Sequence, residues 1–295
     1  MENSEEPLIS IVVPIHKMAG RLSNLERVLK DAQSGNLPIE FVLVHDGNDI
    51  GTSNDLKILS EKYQVSVVQG NFNSPGLARN YGMENTKANW VAFWDSDDVG
   101  NPNALIEAIS KANSRTKILI GGYRTHLISN DQVSKIFMPS RKLDKLMINP
   151  GCWRFVFRKE FILETKFPKM KMGEDQVFLA KLRIDESQVT FIDDCFYTYF
   201  IGNMNQLTNN SSSVAEVLEA TKEIGEFIQN SYEVKKYIYV INARLILSAL
   251  KNGQISFVGF LSLLFKPRVS GIQKKLEWIL GFVTVLTNIV ARGRT

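Results

Sequence analysis

The sequence predicts an α/β fold: a doubly wound, mostly parallel sheet, followed by a helical C-terminal region. Three observations predict it. From Ile9 onward, short β-branched runs alternate with helix-period stretches. Polar residues cluster where each of those runs ends, and everything past a polar break near Thr208 reads as helix. Alternating strands and helices imply parallel strands joined by right-handed crossovers, with ligands bound beyond the carboxyl ends of the strands.

Residues 9–13, 40–44, 65–68 and 90–94 read as strands, being short apolar runs bounded by turn-forming residues. Residues 22–33, 54–62, 77–84 and 103–112 read as the helices between them. Pro14-Ile15-His16, His45-Asp46-Gly47, Gln69-Gly70-Asn71 and Asp95-Ser96-Asp97-Asp98 follow the four strands, so four strand ends converge on one crevice. After Lys117 the pattern becomes an α+β mixture. Apolar runs at 118–123, 153–157, 189–192 and 196–200, with a helix over 174–183, are expected to complete the same sheet. Thr208-Asn209-Asn210-Ser211-Ser212-Ser213 is a polar break, and Ser213 and Glu216 have the spacing of a capping box. This places one domain at residues 1–208 and a helical region at 209–295. The latter reads as helices 214–229, 234–251, 257–265 and 272–291, broken by Asn252-Gly253 and Lys266-Pro267-Arg268.

A chain of 295 residues, 44% hydrophobic and 22% charged, carries enough apolar surface for a full core. Its net charge of +4 is mild and no Lys/Arg block runs along it, so no nucleic-acid partner is expected. Cys152 and Cys195 are the only cysteines, too few for a disulfide framework and without the paired spacing of a zinc site, which suits a reducing, cytoplasmic setting. The stretch from Met1 to Glu6 is acidic and the apolar run after it stops at Pro14, which does not read as a signal peptide.

Asp95 and Asp97, two residues apart at a strand end, are expected to face the same side and share one divalent cation. An all-oxygen donor set suits Mg²⁺ or Mn²⁺. Such a cation offsets the charge that develops on a diphosphate leaving group as a glycosidic bond breaks. The competing reading makes Asp95-Ser96-Asp97 a polar turn capping the helix from Asn103; on either reading Asp98 braces the turn. Asp46 can accept from the N–H edge of a pyrimidine base, or simply form an Asp-Gly turn. Gly173-Glu174-Asp175 opens a helix, where an acid either caps the terminus or serves as a general base. Trp153 offers a face for sugar stacking, whereas Trp94 reads as core.

Taken together, Val12-Val13-Pro14, Val44-His45-Asp46-Gly47, Gly76-Leu77-Ala78-Arg79-Asn80-Tyr81-Gly82, Trp94-Asp95-Ser96-Asp97-Asp98 and Gly173-Glu174-Asp175 resemble, in order and spacing, the family 2 glycosyltransferases of the GT-A fold. The resemblance covers about residues 8–208, ending near Tyr197-Thr198-Tyr199 and Asn205-Gln206-Leu207-Thr208. It implies an inverting transfer from a nucleotide-sugar, a UDP-sugar by expectation, to a glycan or lipid-linked acceptor in surface polysaccharide synthesis. In that scheme Asp46 reads the base, and Pro14, Arg79 and Ser96 belong to the donor site. Asp95 and Asp97 handle diphosphate and metal, Trp153 borders the acceptor, and Asp175 deprotonates the acceptor hydroxyl with Glu174 in support. The chain departs from the family pattern twice: His45 stands where an aspartate is common, and His16-Lys17 where an aromatic-Asn pair is common. Two rivals are a sugar nucleotidyltransferase, which lacks a Gly-rich phosphate loop here, and a catalytically silent scaffold, against which intact Asp95, Asp97 and Asp175 argue.

The tail carries its own signal. Residues 278–291 form an uncharged, largely apolar run, shorter than the roughly 20 residues a bilayer span needs. Lys266, Arg268, Lys274, Lys275, Arg292 and Arg294 stand against Glu277 alone, a net +5 that exceeds the whole chain's +4. Basic residues flanking apolar helices are expected to lay residues 257–295 on a membrane surface, peripherally on the inner face of the cell membrane. The alternative is packing on the catalytic domain or on a second subunit as a homo-oligomer.

Overall fold

A computed structural model of the chain describes residues 6–202, 211–265 and 271–292. In chain order its elements are β1 (Ile9–Ile15), α1 (Ser23–Ser34), β2 (Ile39–Asp46), α2 (Ile50–Lys62), β3 (Ser66–Gly70), α3 (Pro75–Glu84), β4 (Trp90–Phe93), β5 (Val99–Gly100), α4 (Pro102–Ser110), β6 (Ile118–Leu127) and β7 (Gln132–Val133). There follow α5 (Leu143–Leu146), β8 (Phe155–Arg158), α6 (Lys159–Ile162), α7 (Glu174–Lys181), β9 (Val189–Ile201), α8 (Ser211–Asn230), α9 (Lys236–Lys251), α10 (Phe257–Phe265) and α11 (Ile272–Arg292). The described residues divide into two units, one drawn from 1–139, 152–169 and 187–203, the other from 140–151, 170–186 and 204–295.

The first unit holds the sheet, in the order β3-β2-β1-β4-β8-β6-β9-β5 with β7 on β6. β3, β2, β1 and β4 run parallel, β8 enters antiparallel between β4 and β6, and β9 runs parallel to β6. β1, β2, β3, β4, β6 and β9 thus share one direction, the expected mostly parallel, doubly wound arrangement. β1 can sit near the middle because Ile9, Ile11, Val12 and Val13 are apolar on both faces, as a covered parallel strand requires. α1 lays Leu25, Val28, Leu29 and Ala32 against it, the spacing of one helical face. α2 starts at Ile50, ahead of the expected residue 54, because Asp49 is its cap and accepts the Thr52 N–H at 3.0 Å. The runs expected at 189–192 and 196–200 are one strand. The polar residues between them occupy an irregular stretch where β9 shifts register against β6 around Gly122.

α3 approaches the sheet closely because position 82 has no side chain. A Cβ on Gly82 would lie 2.3 Å from Val12 Cγ1 and 2.8 Å from Val44 Cγ2. Gly82→Ala therefore forces the helix off β1 and β2, and a loss of about 1–3 kcal/mol is expected, read as a lowered midpoint in a urea titration.

The second unit is helical. α8 and α11 each pack on α9, as do α5, α7 and α10. α7 buries Val177, Phe178, Leu179 and Ala180. Tyr237 of α9 ties it in: the hydroxyl accepts the Ile184 N–H at 2.8 Å and donates to the Leu179 carbonyl at 3.2 Å. Lys274 closes the end of α8, its ammonium donating to the carbonyls of Ile228, Gln229 and Ser231 at 2.9 to 3.0 Å. The division is not a single cut near Thr208, which lies outside the described residues. The segments bearing α5 and α7 group with the C-terminal helices because α8 and α9 supply the apolar faces they cover. The expected capping box does not form as read: α8 already runs from Ser211, and the Glu216 carboxylate accepts the backbone N–H of Lys171. Among the described residues no helix is long and apolar enough to cross a membrane.

Candidate active site

Past the carboxyl ends of β1, β2 and β3 lies a cavity of about 190 Å³ lined by His16, Lys17, Asp46, Gly47, Asn48, Asp49, Asn71 and Asn73. Asp46 builds its wall. The carboxylate is buried; Oδ1 accepts the N–H groups of Phe72 and Asn73 at 2.6 and 2.8 Å, and Oδ2 that of Ser74 at 3.1 Å. A carboxylate offers about four acceptor positions, and three are taken here. The structure therefore gives Asp46 a bracing task that the Asp-Gly pair alone did not reveal. His16 donates from Nδ1 to the Asp46 carbonyl at 2.7 Å, which fixes the ring against the cavity. Lys17, Gly47 and Asn73, all on the rim, have φ of 50°, 130° and 50°, a concentration of left-handed backbone that marks functional loops. Asp49 is held down to about 2 by its hydrogen bonds from Thr52, with His45 adding to the effect, so it stays ionised at the cavity floor. In Asp46→Asn an amide NH₂ faces backbone donors and leaves at least one unpaired. A loss of about 1–3 kcal/mol is expected, together with weakened nucleotide binding, measured by thermal melting and UDP titration.

Beyond β4 the chain makes an acidic turn. β4 ends at Phe93, and the Asp98 N–H closes on the Asp95 carbonyl at 3.4 Å, so turn geometry and not strand alternation brings Asp95 and Asp97 together. They cap no helix: α4 starts at Pro102 and its cap is Asn101, whose side chain accepts the Ala104 N–H at 3.2 Å. Asp98 does brace the turn, accepting the Tyr197 hydroxyl at 2.9 Å and the Phe200 N–H at 2.7 Å, while burial and the neighbouring Asp97 and Asp95 hold it well above the usual carboxylate range. Tyr197 in turn accepts the Asp95 N–H at 3.1 Å. Asn24 fixes the other side by donating to the Asp97 carbonyl at 2.6 Å.

α3 delivers the cation of this turn. Arg79, 5% exposed, donates to Asp95 Oδ1 at 2.8 Å. The next residue, Asn80, anchors the helix by bonding Phe167 in both directions, at 2.8 and 2.9 Å. Asp95 is thereby balanced. Asp97 has no ion-pair partner of its own among the described residues, and burial followed by the Asp95 charge pushes it up to about 6, against a smaller opposing pull from a backbone hydrogen bond and the Arg21 charge. Among the described residues no group of three His, Cys, Asp or Glu gathers around one point. The donor set fits a hard divalent cation that draws its remaining oxygens from a diphosphate and water, the usual manner of holding Mg²⁺. The Asp97 carboxylate, only partly offset by Arg21, is the feature such an ion would neutralise.

The remaining residues fall elsewhere. Pro14 lies in β1 opposite Val44, and Ser96 is buried in the acidic turn. Trp153 stacks on Tyr197 with centroids 4.7 Å apart and planes at 13°, and meets Tyr123 edge-on at 4.8 Å, so aromatic neighbours take much of the face expected for a sugar. Glu174 is buried at the start of α7; Asp175 beside it accepts the Gln176 N–H at 3.0 Å. The cap of α7 is Gly173, with φ 92° and no side chain to bond the terminus, and a Cβ there would sit 2.7 Å from that of Ala220. Glu174 and Asp175 belong to the second unit, whereas the cavity and the acidic turn belong to the first.

The chain is 22% identical over 272 residues to the glycosyltransferase GlyA of Streptococcus pneumoniae, covering 84% of this chain and 38% of GlyA. To the poly(ribitol-phosphate) β-N-acetylglucosaminyltransferase TarS of Staphylococcus aureus it is 23% identical over 259 residues, 83% of this chain and 41% of TarS. It thus spans about two fifths of the length of either. The crystal structure of TarS residues 1–349 in complex with UDP-GlcNAc matches the fold with a TM-score of 0.62 at 17% identity, over 94% of this chain and 81% of that one. The mannosyltransferase PcManGT from Pyrobaculum calidifontis, in complex with GDP-Man and Mn²⁺, matches with a TM-score of 0.58 at 11% identity, over 97% and 87%. The pattern of glycosyl transferase family 2 matches residues 10–167, more than half the chain, and this protein belongs to that family.

Proposed function

We propose that this glycosyltransferase moves a sugar, with inversion, from a UDP-sugar to a glycan or lipid-linked acceptor in surface polysaccharide synthesis. The observation that carries the reading is the acidic turn: a paired Arg79–Asp95 beside an Asp97 that Arg21 only partly offsets, at the carboxyl end of a parallel sheet. The cavity past β1, β2 and β3 suits the nucleotide, with the loop braced by Asp46 as one wall and His16 among its lining residues. UDP is favoured because TarS is described with UDP-GlcNAc. Asp95 and Asp97 would hold Mg²⁺ or Mn²⁺, which supplies neutralising charge to the diphosphate. Arg79 holds Asp95 in place through its ion pair. Asp175 takes the proton of the acceptor hydroxyl, a role that rests on the resemblance of Gly173-Glu174-Asp175, and Glu174 supports it. The acceptor oxygen then bonds the anomeric carbon opposite the departing diphosphate, which leaves with the bonding pair. Cys152 and Cys195 are free thiols, in keeping with a cytoplasmic site of action.

The test is release of nucleoside diphosphate by the purified chain from a panel of UDP-, GDP- and dTDP-sugars, with and without chelator. Turnover of a UDP-sugar that stops in EDTA and resumes with Mn²⁺ is expected. A folded protein that turns over no donor and binds no UDP overturns the reading.

A further inference from the structure

The second unit ends in two helices whose outward faces are apolar. On α11, Ile272, Leu276, Ile279, Leu280, Val283 and Leu286 recur at three- and four-residue spacing and are 43% to 82% exposed. Phe257 and Val258 of α10 are 64% and 75% exposed. The opposite face of α11 is already used: Trp278, Phe282 and Val285 are buried, and Phe282 meets Phe260 of α10 edge-on at 5.8 Å. A helix apolar on two sides has one side left for something outside the bundle.

The charges decide what that is. Lys274 is committed to the end of α8, whereas Lys275 is exposed at the border of the apolar stripe. Glu277, the single acid of α10 and α11, has Oε2 enclosed in the bundle near Tyr239. The outer face therefore presents apolar side chains and a cation with no carboxylate among them, and the sequence sets Lys266 and Arg268 before it and Arg292 and Arg294 after it. A second copy would bring the same cationic face and no acid to meet it. An anionic bilayer surface supplies both an apolar interior and the opposite charge. We infer that the outer face of α10 and α11 docks on an anionic membrane surface, lying in the headgroup layer without crossing it. Docking stands apart from sugar transfer, since none of these residues belongs to the donor site.

Flotation of the full chain with phosphatidylglycerol-containing and pure phosphatidylcholine vesicles tests it. Co-flotation with the anionic vesicles at low salt, reduced at high salt, is expected. The variant Leu276→Gln/Leu280→Gln/Val283→Gln should lose flotation, and Lys275→Glu should weaken it about tenfold or more. Both should keep the wild-type melting temperature, because the positions are exposed. Donor hydrolysis by either variant should match wild type, which separates failure of docking from failure of the transfer reading. Flotation of the triple variant equal to wild type, salt-insensitive binding to phosphatidylcholine alone, or no flotation with concentration-dependent dimerisation each overturns the inference.

Discussion

Asp97→Ala is expected to slow sugar transfer about a thousandfold, on the order of 4 kcal/mol of transition-state stabilisation, while the protein still folds. The stability of the metal-free protein should move the other way. Asp97 titrates near 6 in the folded chain, above the usual carboxylate value, so the folded state binds the extra proton between about pH 4 and pH 6. Below that window both folded and unfolded chains are protonated and Asp97 costs nothing. As pH rises through 6, the folded chain must carry a half-buried charge that Arg21 only partly offsets, and it loses stability relative to the unfolded one. Asp97→Asn, which has no charge to place there, should be indistinguishable from wild type at pH 4 and more stable by on the order of 1–3 kcal/mol at pH 8. Thermal melts across that range in EDTA measure it. Adding Mn²⁺ should stabilise wild type and not the variant. A wild-type advantage at pH 8 in EDTA would remove the partly offset charge from the argument.

Asp175→Asn should be the second severe loss, on the order of a hundredfold to ten-thousandfold in transfer, the usual contribution of a positioned general base. Because the donor-facing residues stay intact, UDP binding and its dependence on Mn²⁺ should be unchanged. Glu174 is buried and its neighbour is half-buried, so Glu174→Gln should act mainly through stability. Single-turnover transfer beside a UDP titration separates the two substitutions. If Glu174→Gln is the inactive one and Asp175→Asn keeps both folding and turnover, the base is Glu174.

Much of this was legible from the chain. Strands β1 to β4 and helices α1 to α4 appear within a few residues of their expected places, because period and breakers are local properties. Asp98 was correctly read as a brace. What was not legible depends on distant partners. The Tyr197 hydroxyl that joins Asp98 to the Asp95 backbone comes from about a hundred residues away, and nothing in Tyr197-Thr198-Tyr199 says where its side chain points. The same holds for Asp46, whose three donors arrive from the loop after β3, and for Asn80, whose clamp on Phe167 explains why Asn follows Arg79. Grouping α7 with the C-terminal helices required knowing that α8 and α9 would cover it. Spacing alone suggests that strand alternation brings Asp95 and Asp97 together, whereas a turn does so.

Titration of UDP into the full-length chain and into Asp97→Asn, each in Mn²⁺ and in EDTA, tests the central claim most directly. Wild type is expected to bind UDP at least about tenfold more tightly with Mn²⁺, a difference of roughly 1.4 kcal/mol, and the variant to bind equally in both. Equal wild-type affinity in Mn²⁺ and EDTA, or an undiminished metal effect in Asp97→Asn, would contradict a cation held at the Asp95–Asp97 turn.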